Sequence, residues 1–346
     1  MSAPAMNPQS YLKRAKRDSC MQNSLSIFDA PSDWLKNDVM LHGIAPEVKD
    51  IALRLGGAPK VSRLIGVSYH ASKEWTLGRR PISLANLNKT LNLCNENFRK
   101  EMVQRIDSKE IFLSCKYSPH KLRFPKEISP DLAYCVGVIL GDGSLAGNIS
   151  NEKGNWRVAV FFDNLEHRAL YDSIIRKELD LVQIHRLSSE HCYVSLCCSK
   201  VFHWFLRSYF GVCNGFKSSR IFVPQNLLDS TAIEVKKAFL QGLFDTDGTI
   251  TKRGYVKYAS TSKVIIDQVR LLLNSIGIET KFGQWLKAEK FLPLYTVELR
   301  SKDSVLKFAR LINFRHPVKL AKLTDANKNV LVAPSSSGQG FDPLGF

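Results

Sequence analysis

From residue 130 onward, the spacing of apolar positions switches between a helical and an alternating period, and the series runs twice. A stretch apolar on nearly every side (131–140) ends in Gly141-Asp142-Gly143. Alternating runs at 144–150 and 157–162 predict strands, and helical spacing over 165–179 predicts a helix with Asp163 and Asn164 as candidate N-caps. Strands at 181–187 and 192–198 and a helix at 200–210 follow. A second apolar helix, 232–244, then ends in Asp245-Thr246-Asp247-Gly248. Strands at 249–252 and 255–260, a helix at 262–276, strands at 279–285 and 294–300 and a helix at 302–312 complete the second series. Both units read α-β-β-α-β-β-α, over 130–229 and 230–330, and Asp142 and Asp247 stand 105 residues apart. Arg253-Gly254 reads as a two-residue hairpin turn. The fold class is therefore α+β, with a four-stranded antiparallel sheet in each unit, helices on one face and the other face free to bind.

The leading part has a different texture. Residues 1–43 are weakly periodic and read as a partly disordered extension. Residues 44–95 predict a small all-α domain. Within it a helix at 61–65, a turn at Gly66-Val67-Ser68 and a helix at 69–77 resemble the repressor-type helix-turn-helix family. That resemblance implies DNA contact by Tyr69, His70, Ser72, Lys73 and Arg79. Residues 96–129, basic and carrying prolines, read as a linker without a core, and 331–346 as a disordered tail.

Charge narrows the partner. Lys plus Arg number 49 against 32 Asp plus Glu, a net charge of +17. That excess suits a polyanion, nucleic acid above all. The eight cysteines form no C-x-x-C pair, and read as reduced thiols in apolar stretches rather than as a zinc site. No apolar h-region and no run of 18 apolar residues appears. The expectation is a protein of the cytoplasm or an organelle matrix, with no membrane partner.

The chemistry centres on the two helix ends. Gly137 aligns with Gly242, Gly141 with Thr246, Asp142 with Asp247 and Gly143 with Gly248. Small residues four apart let two helices approach closely, so Gly137, Gly141 and Gly242 are candidate packing positions. Packed side by side, the helices would bring Asp142 and Asp247 together at their negative ends, where the carboxylates repel. A divalent cation removes that conflict, and Mg²⁺ is commonly held by one or two carboxylates plus phosphate oxygens and water.

These residues resemble the LAGLIDADG homing endonucleases in their two-repeat, monomeric form, over about residues 130–323. The resemblance implies a saddle-shaped DNA-binding surface and Asp142 and Asp247 as catalytic acids. It implies two or three Mg²⁺ ions, held by those acids and by Gly141 and Thr246, and hydrolysis of one phosphodiester per strand across the minor groove. It also implies a catalytic lysine in each unit, matched by Lys217 and Lys319, which lie 75 and 72 residues past their acids. The DNA-facing candidates are Asn148, Ser150, Asn155, Arg157, Lys252, Arg253, Tyr255, Lys257 and Lys287. The partner is a long, asymmetric double-stranded site. The family also has the earlier acid of the motif, present as Asp245 but replaced by Leu140 in the first unit. The alternative is a non-cleaving relative that binds intron RNA as a maturase or regulates transcription. An intein is not expected, because the chain begins with Met and lacks a His-Asn ending.

Overall fold

The structure is a computed structural model and describes residues 23–30, 38–116, 118–147, 156–189, 192–215, 217–285 and 292–328. The leading domain runs β1 (Val39–His42), α1 (Ala45–Arg54), α2 (Ala58–Ile65), α3 (Tyr69–Thr76), β2 (Ile82–Ser83), α4 (Leu84–Asn92), α5 (Glu96–Asp107), β3 (Ile111–Cys115) and β4 (Lys121–Phe124). Its strands form an antiparallel sheet in the order β2-β1-β3-β4. This corrects two expectations: the domain is α+β rather than all-α, and 96–129 is not a coreless linker. Met102, Ile106, Ile111, Leu113, Leu122 and Phe124 are all buried. The strands escaped notice because each is only two to five residues long, and the flanking prolines bound the strands rather than line a coil.

Part of the supposed extension is also fixed. Leu25 N–H donates to the Lys126 carbonyl at 2.8 Å, and Tyr209 donates its hydroxyl to the Ser26 carbonyl at 2.9 Å. The helix pair α2 and α3 forms as read, with Gly66 left-handed at the end of α2 and Ser68 capping α3 through the Ala71 N–H.

The first unit runs α6 (Pro130–Asp142), β5 (Gly143–Ala146), β6 (Arg157–Phe162), α7 (Leu165–Leu179), β7 (Ile184–Ser189), β8 (Cys192–Cys197) and α8 (Lys200–Phe210). A short α9 (Gln225–Leu228) precedes the second unit. That unit runs α10 (Ile233–Asp247), β9 (Gly248–Ile250), β10 (Val256–Ser260), α11 (Lys263–Ser275), β11 (Lys281–Trp285), β12 (Leu294–Leu299), α12 (Lys302–Leu311) and α13 (Pro317–Ala326). The sheets are antiparallel, ordered β5-β6-β8-β7 and β9-β10-β12-β11, which is one arrangement used twice. Side-chain caps start the helices: Ser129 on α6, Asn164 on α7, Ser199 on α8, Ser262 on α11 and Ser301 on α12. The hairpin turn between β9 and β10 is longer than read. It begins at Thr251 and places Gly254 at φ 77°.

The leading domain is docked on α8. Phe124 meets Phe205 and Tyr209 at ring distances of 6.0 and 5.4 Å. Lys200 pairs with Asp38 at 2.8 Å. This explains why α8, with Trp204 and Phe205, is buried almost all round while its counterpart α12 buries only one face. Removing the leading domain would therefore strip an apolar face.

The centre of the molecule is the contact between α6 and α10. A β-carbon on Gly137 would lie 2.4 Å from the Phe239 carbonyl oxygen, and one on Gly242 would lie 2.2 Å from that of Tyr134. The two backbones touch there, and no rotamer change can make room. Glycine normally costs a helix about 1 kcal/mol against alanine, so Gly242→Ala at an unconstrained site would stabilise the chain. Here the clash reverses the sign. Gly242→Ala should destabilise by about 3 kcal/mol, read as a lower urea midpoint, and an unchanged or raised midpoint would refute the contact.

Candidate active site at the paired helix ends

Each central helix runs straight into a strand. Asp142 closes α6 and Gly143 opens β5; Asp247 closes α10 and Gly248 opens β9. A β-carbon on Gly141 would lie 2.0 Å from the Thr246 hydroxyl oxygen, so the helices are still in contact one residue before the acids. The Thr246 hydroxyl faces inward and donates to the carbonyls of Gly242 and Leu243.

Asp247 feels the charge of Asp142. Burial, and then the charge of Asp142, push the Asp247 carboxyl up to about 6. Burial also raises Asp142, against the lowering pull of Lys319 and Lys217. Asp142 presents surface to solvent while protein crowds its other sides, so water reaches a carboxylate that is only partly desolvated. Among the described residues, no group of three or more His, Cys, Asp or Glu is arranged to hold a metal ion. Two carboxylates are what the protein offers, and further ligands would have to be backbone oxygens, water or substrate.

The two lysines answer the helix dipoles. Lys217 donates to the carbonyls of Ile139, Leu140 and Gly141 at 2.7–2.8 Å. Lys319 donates to those of Phe244, Asp245 and Thr246 at 3.3, 2.7 and 2.6 Å. Each ammonium thus spends all three N–H groups on the end of its own unit's helix, where carbonyls lack partners and a cation is favoured. In this geometry the ammonium groups face the helix ends, whereas the resemblance implies that both lysines are catalytic. The oxygens of Gly141 and Thr246, the other ligands expected of a metal, already accept from these lysines. Burial lowers Lys217 to about 8, which leaves it mostly charged at neutral pH, and burial also lowers Lys319.

Asp245 and Leu140 occupy matching positions with unlike consequences. Buried Asp245 accepts from the Tyr134 hydroxyl at 2.8 Å and from the backbone N–H groups of Arg315 and His316 at 3.1–3.2 Å. Burial still raises its carboxyl to about 6. His316 caps α13, the helix that carries Lys319, and its Nε2 pairs with Asp163 of the first unit at 2.8 Å. His167 bonds the Tyr134 hydroxyl and packs its ring against His316. So Lys319 rides on a helix pinned to both units, whereas Lys217 sits in a turn before α9. Sequence reading missed this network; its one signal was the mismatch of Leu140 with Asp245.

The expected DNA-facing residues scatter. Arg157 is exposed on β6, and Lys252 and Arg253 are exposed on the β9–β10 turn. Tyr255 is half-buried; Lys257 pairs with Glu298 at 3.4 Å and sits 5.6 Å from the Trp285 ring centre. Asn148, Ser150, Asn155 and Lys287 lie outside the described residues. In the leading domain Tyr69, His70 and Lys73 are exposed, and Arg79 is exposed beside Glu74 at 3.6 Å. Ser72 is 1% exposed, so it packs against the domain core and cannot reach a ligand. Exposed Arg186 and Lys281, both on the open sheet faces by register, were not foreseen although strand alternation marks them. No helix of the described residues is long and apolar enough to cross a membrane.

Residues 234–313 match the LAGLIDADG-like domain model. Among curated proteins, a DNA polymerase of Thermococcus sp. (strain GE8) is 28% identical over 201 residues, covering 55% of this chain and 11% of the polymerase. The replication factor C small subunit of Methanocaldococcus jannaschii is 25% identical over 206 residues, covering 59% of this chain and 10% of that protein. The chain thus spans about a tenth of the length of these relatives. Among solved structures, I-DmoI in complex with DNA and Mn aligns with 54% of this chain and 97% of its own, at 19% identity and a TM-score of 0.41. Full-length DUF199/WhiA from Thermatoga maritima aligns with 60% of this chain and 63% of its own, at 11% identity and a TM-score of 0.39. The match to the LAGLIDADG-like domain thus falls within the second unit, and the first unit repeats its elements around a matching helix end.

Proposed function

We propose that the chain is a site-specific double-strand DNA endonuclease that works as a monomer with Mg²⁺. The observation that carries this reading is the twinned helix end: two carboxylates at adjoining helix ends, one of them raised by burial and then by the charge of the other. A structural helix end gains nothing from such repulsion, whereas a site that receives a divalent cation does. The donor set fits a hard cation, since Asp142 and Asp247 supply oxygen atoms and phosphate and water can complete an octahedron. When bound, the ions would polarise the scissile phosphate and lower the pKa of the attacking water.

The chain's own residues do the rest. Asp142 serves one strand and Asp247 the other, each from the end of its own helix. Lys217 and Lys319 neutralise the negative helix ends, and their positive charge beside the acids favours the carboxylate form and the incoming phosphate. The open sheet faces begin at the acids, because β5 and β9 start one residue later, so bound duplex lies across them. The two faces carry different side chains, which suits a long asymmetric target. The exposed Tyr69, His70, Lys73 and Arg79 of the leading domain extend the footprint.

A second reading has its own support in that helix pair: a DNA- or RNA-binding regulator or maturase in which the acids are vestigial. The acids decide between them. Asp142→Asn and Asp247→Asn should each abolish double-strand cleavage of a selected target in Mg²⁺ while leaving its binding within a few-fold. Full cutting by either variant removes the two-acid site, and no cutting by the native chain on any library leaves the binder.

The metal-free protein should also show the acid pair in its stability. Asp247 holds its proton more tightly folded, at about 6, than an ordinary carboxyl, so its contribution is fully present below about pH 4. That contribution is lost as pH rises through about 6. In EDTA, Asp247→Asn should flatten the fall in melting temperature between those limits, and an identical slope in both proteins would refute the shift.

A further inference from the structure

The two sheets repeat each other row by row, yet one row has opposite chemistry in the two units. In the second sheet, register places Thr249, Lys257, Glu298 and Lys281 side by side across β9, β10, β12 and β11. In the first sheet the matching row across β5, β6, β8 and β7 is Ser144, Ala159, Leu196 and Ile184. Ala159 stands for Lys257, Leu196 for Glu298 and Ile184 for Lys281. The neighbouring row extends the contrast, with Phe161 and Val194 beside each other in the first sheet. Their partners in the second are Ala259 and Thr296.

These side chains point away from the helices. Val158, Val160 and Phe162, which alternate with them on β6, belong to the main core, and Leu196 and Val194 do not, although both are buried. Ile184 is 49% exposed and Phe161 40% exposed. Exposed Arg186 ends the Phe161 row, and exposed Arg157 lies one row beyond Ala159 on the opposite side. The apolar strip is thus framed by cations on a face that starts at Asp142.

We propose that this strip reads thymine methyl groups, so the half-site bound by the first unit is selected for thymine where the second unit's half-site is selected by hydrogen bonding. This rests on the DNA-binding reading given above. In the major groove the thymine 5-methyl is the one apolar feature a base edge offers; guanine, adenine and cytosine present donors and acceptors. Ala159, Ile184 and Phe161, the members of the strip that solvent reaches, can replace none of the water those polar edges lose, so burying such edges there is penalised, while buried Leu196 and Val194 back the strip between them. Against a methyl group the same surfaces gain. The Lys257–Glu298–Lys281 row behaves oppositely, since its exposed Lys281 can donate to guanine, while Glu298, buried and paired with Lys257, sets the polar character of the row. Arg157 and Arg186 reach phosphates on either side and fix the register.

The test uses the full chain with DNA selected from a random duplex library in Ca²⁺. Deoxyuridine then replaces thymidine one position at a time, which removes only the methyl group. Each contacted thymine on the first unit's side should lose about fourfold in affinity when replaced, the equivalent of one buried methyl group. Replacements on the other side should be silent. Ile184→Lys, on an exposed edge strand, should abolish the loss at its own position and shift the selected base toward guanine. Uracil insensitivity throughout a bound site overturns this inference alone. Failure to bind any duplex overturns both it and the DNA-binding reading.

Discussion

Everything about the candidate site depends on two helix backbones in contact at Gly137 and Gly242. A helix pair separated by ordinary side chains sits roughly 8–10 Å apart, and a residue as small as alanine is already too large here. The close approach carries the C-terminal ends of α6 and α10 to one place, and with them two carboxylates, six carbonyls and two negative helix ends. That concentration of negative potential would be costly alone. Lys217 and Lys319 offset it by saturating the last carbonyls of each helix, which leaves the carboxylates as the groups still open to a cation.

The architecture of the repeats could be read from the sequence because its elements are long and strongly periodic. Residues 165–179 and 200–210 form helices where the spacing put them, and both sheets are four-stranded and antiparallel. The acids were legible because the same Gly-flanked carboxylate ends two otherwise apolar helices. The leading sheet was not legible, since strands such as Lys121–Phe124 show one alternation each and take their stability from α8, far along the chain. Nor were the lysine caps: a spacing of 75 and 72 residues shows that two lysines correspond, not which atoms they touch. The Asp245 network escaped for the same reason, because Tyr134, His167 and His316 meet only after both units have packed.

The two units share a frame and differ in what it carries. In the second, Asp245 ties the segment before α13 to α6 and α10, and so fixes Lys319. In the first, Leu140 makes no such tie and Lys217 is held by a turn. The sheets differ in the same sense, with an apolar row in the first where the second carries Lys257, Glu298 and Lys281. A duplicated fold whose halves have diverged in their ligand-facing chemistry suits a substrate that is itself asymmetric, while the shared helix contact keeps one centre between them.

The most direct measurement is the carboxyl pKa of Asp247, followed by carbon NMR in the native chain and in Asp142→Asn without metal. Burial and the Asp142 charge together hold it at about 6. Removing that charge should lower it while burial keeps it above the ordinary aspartate value. An Asp247 that titrates identically in both proteins would mean the two helix ends do not form one site.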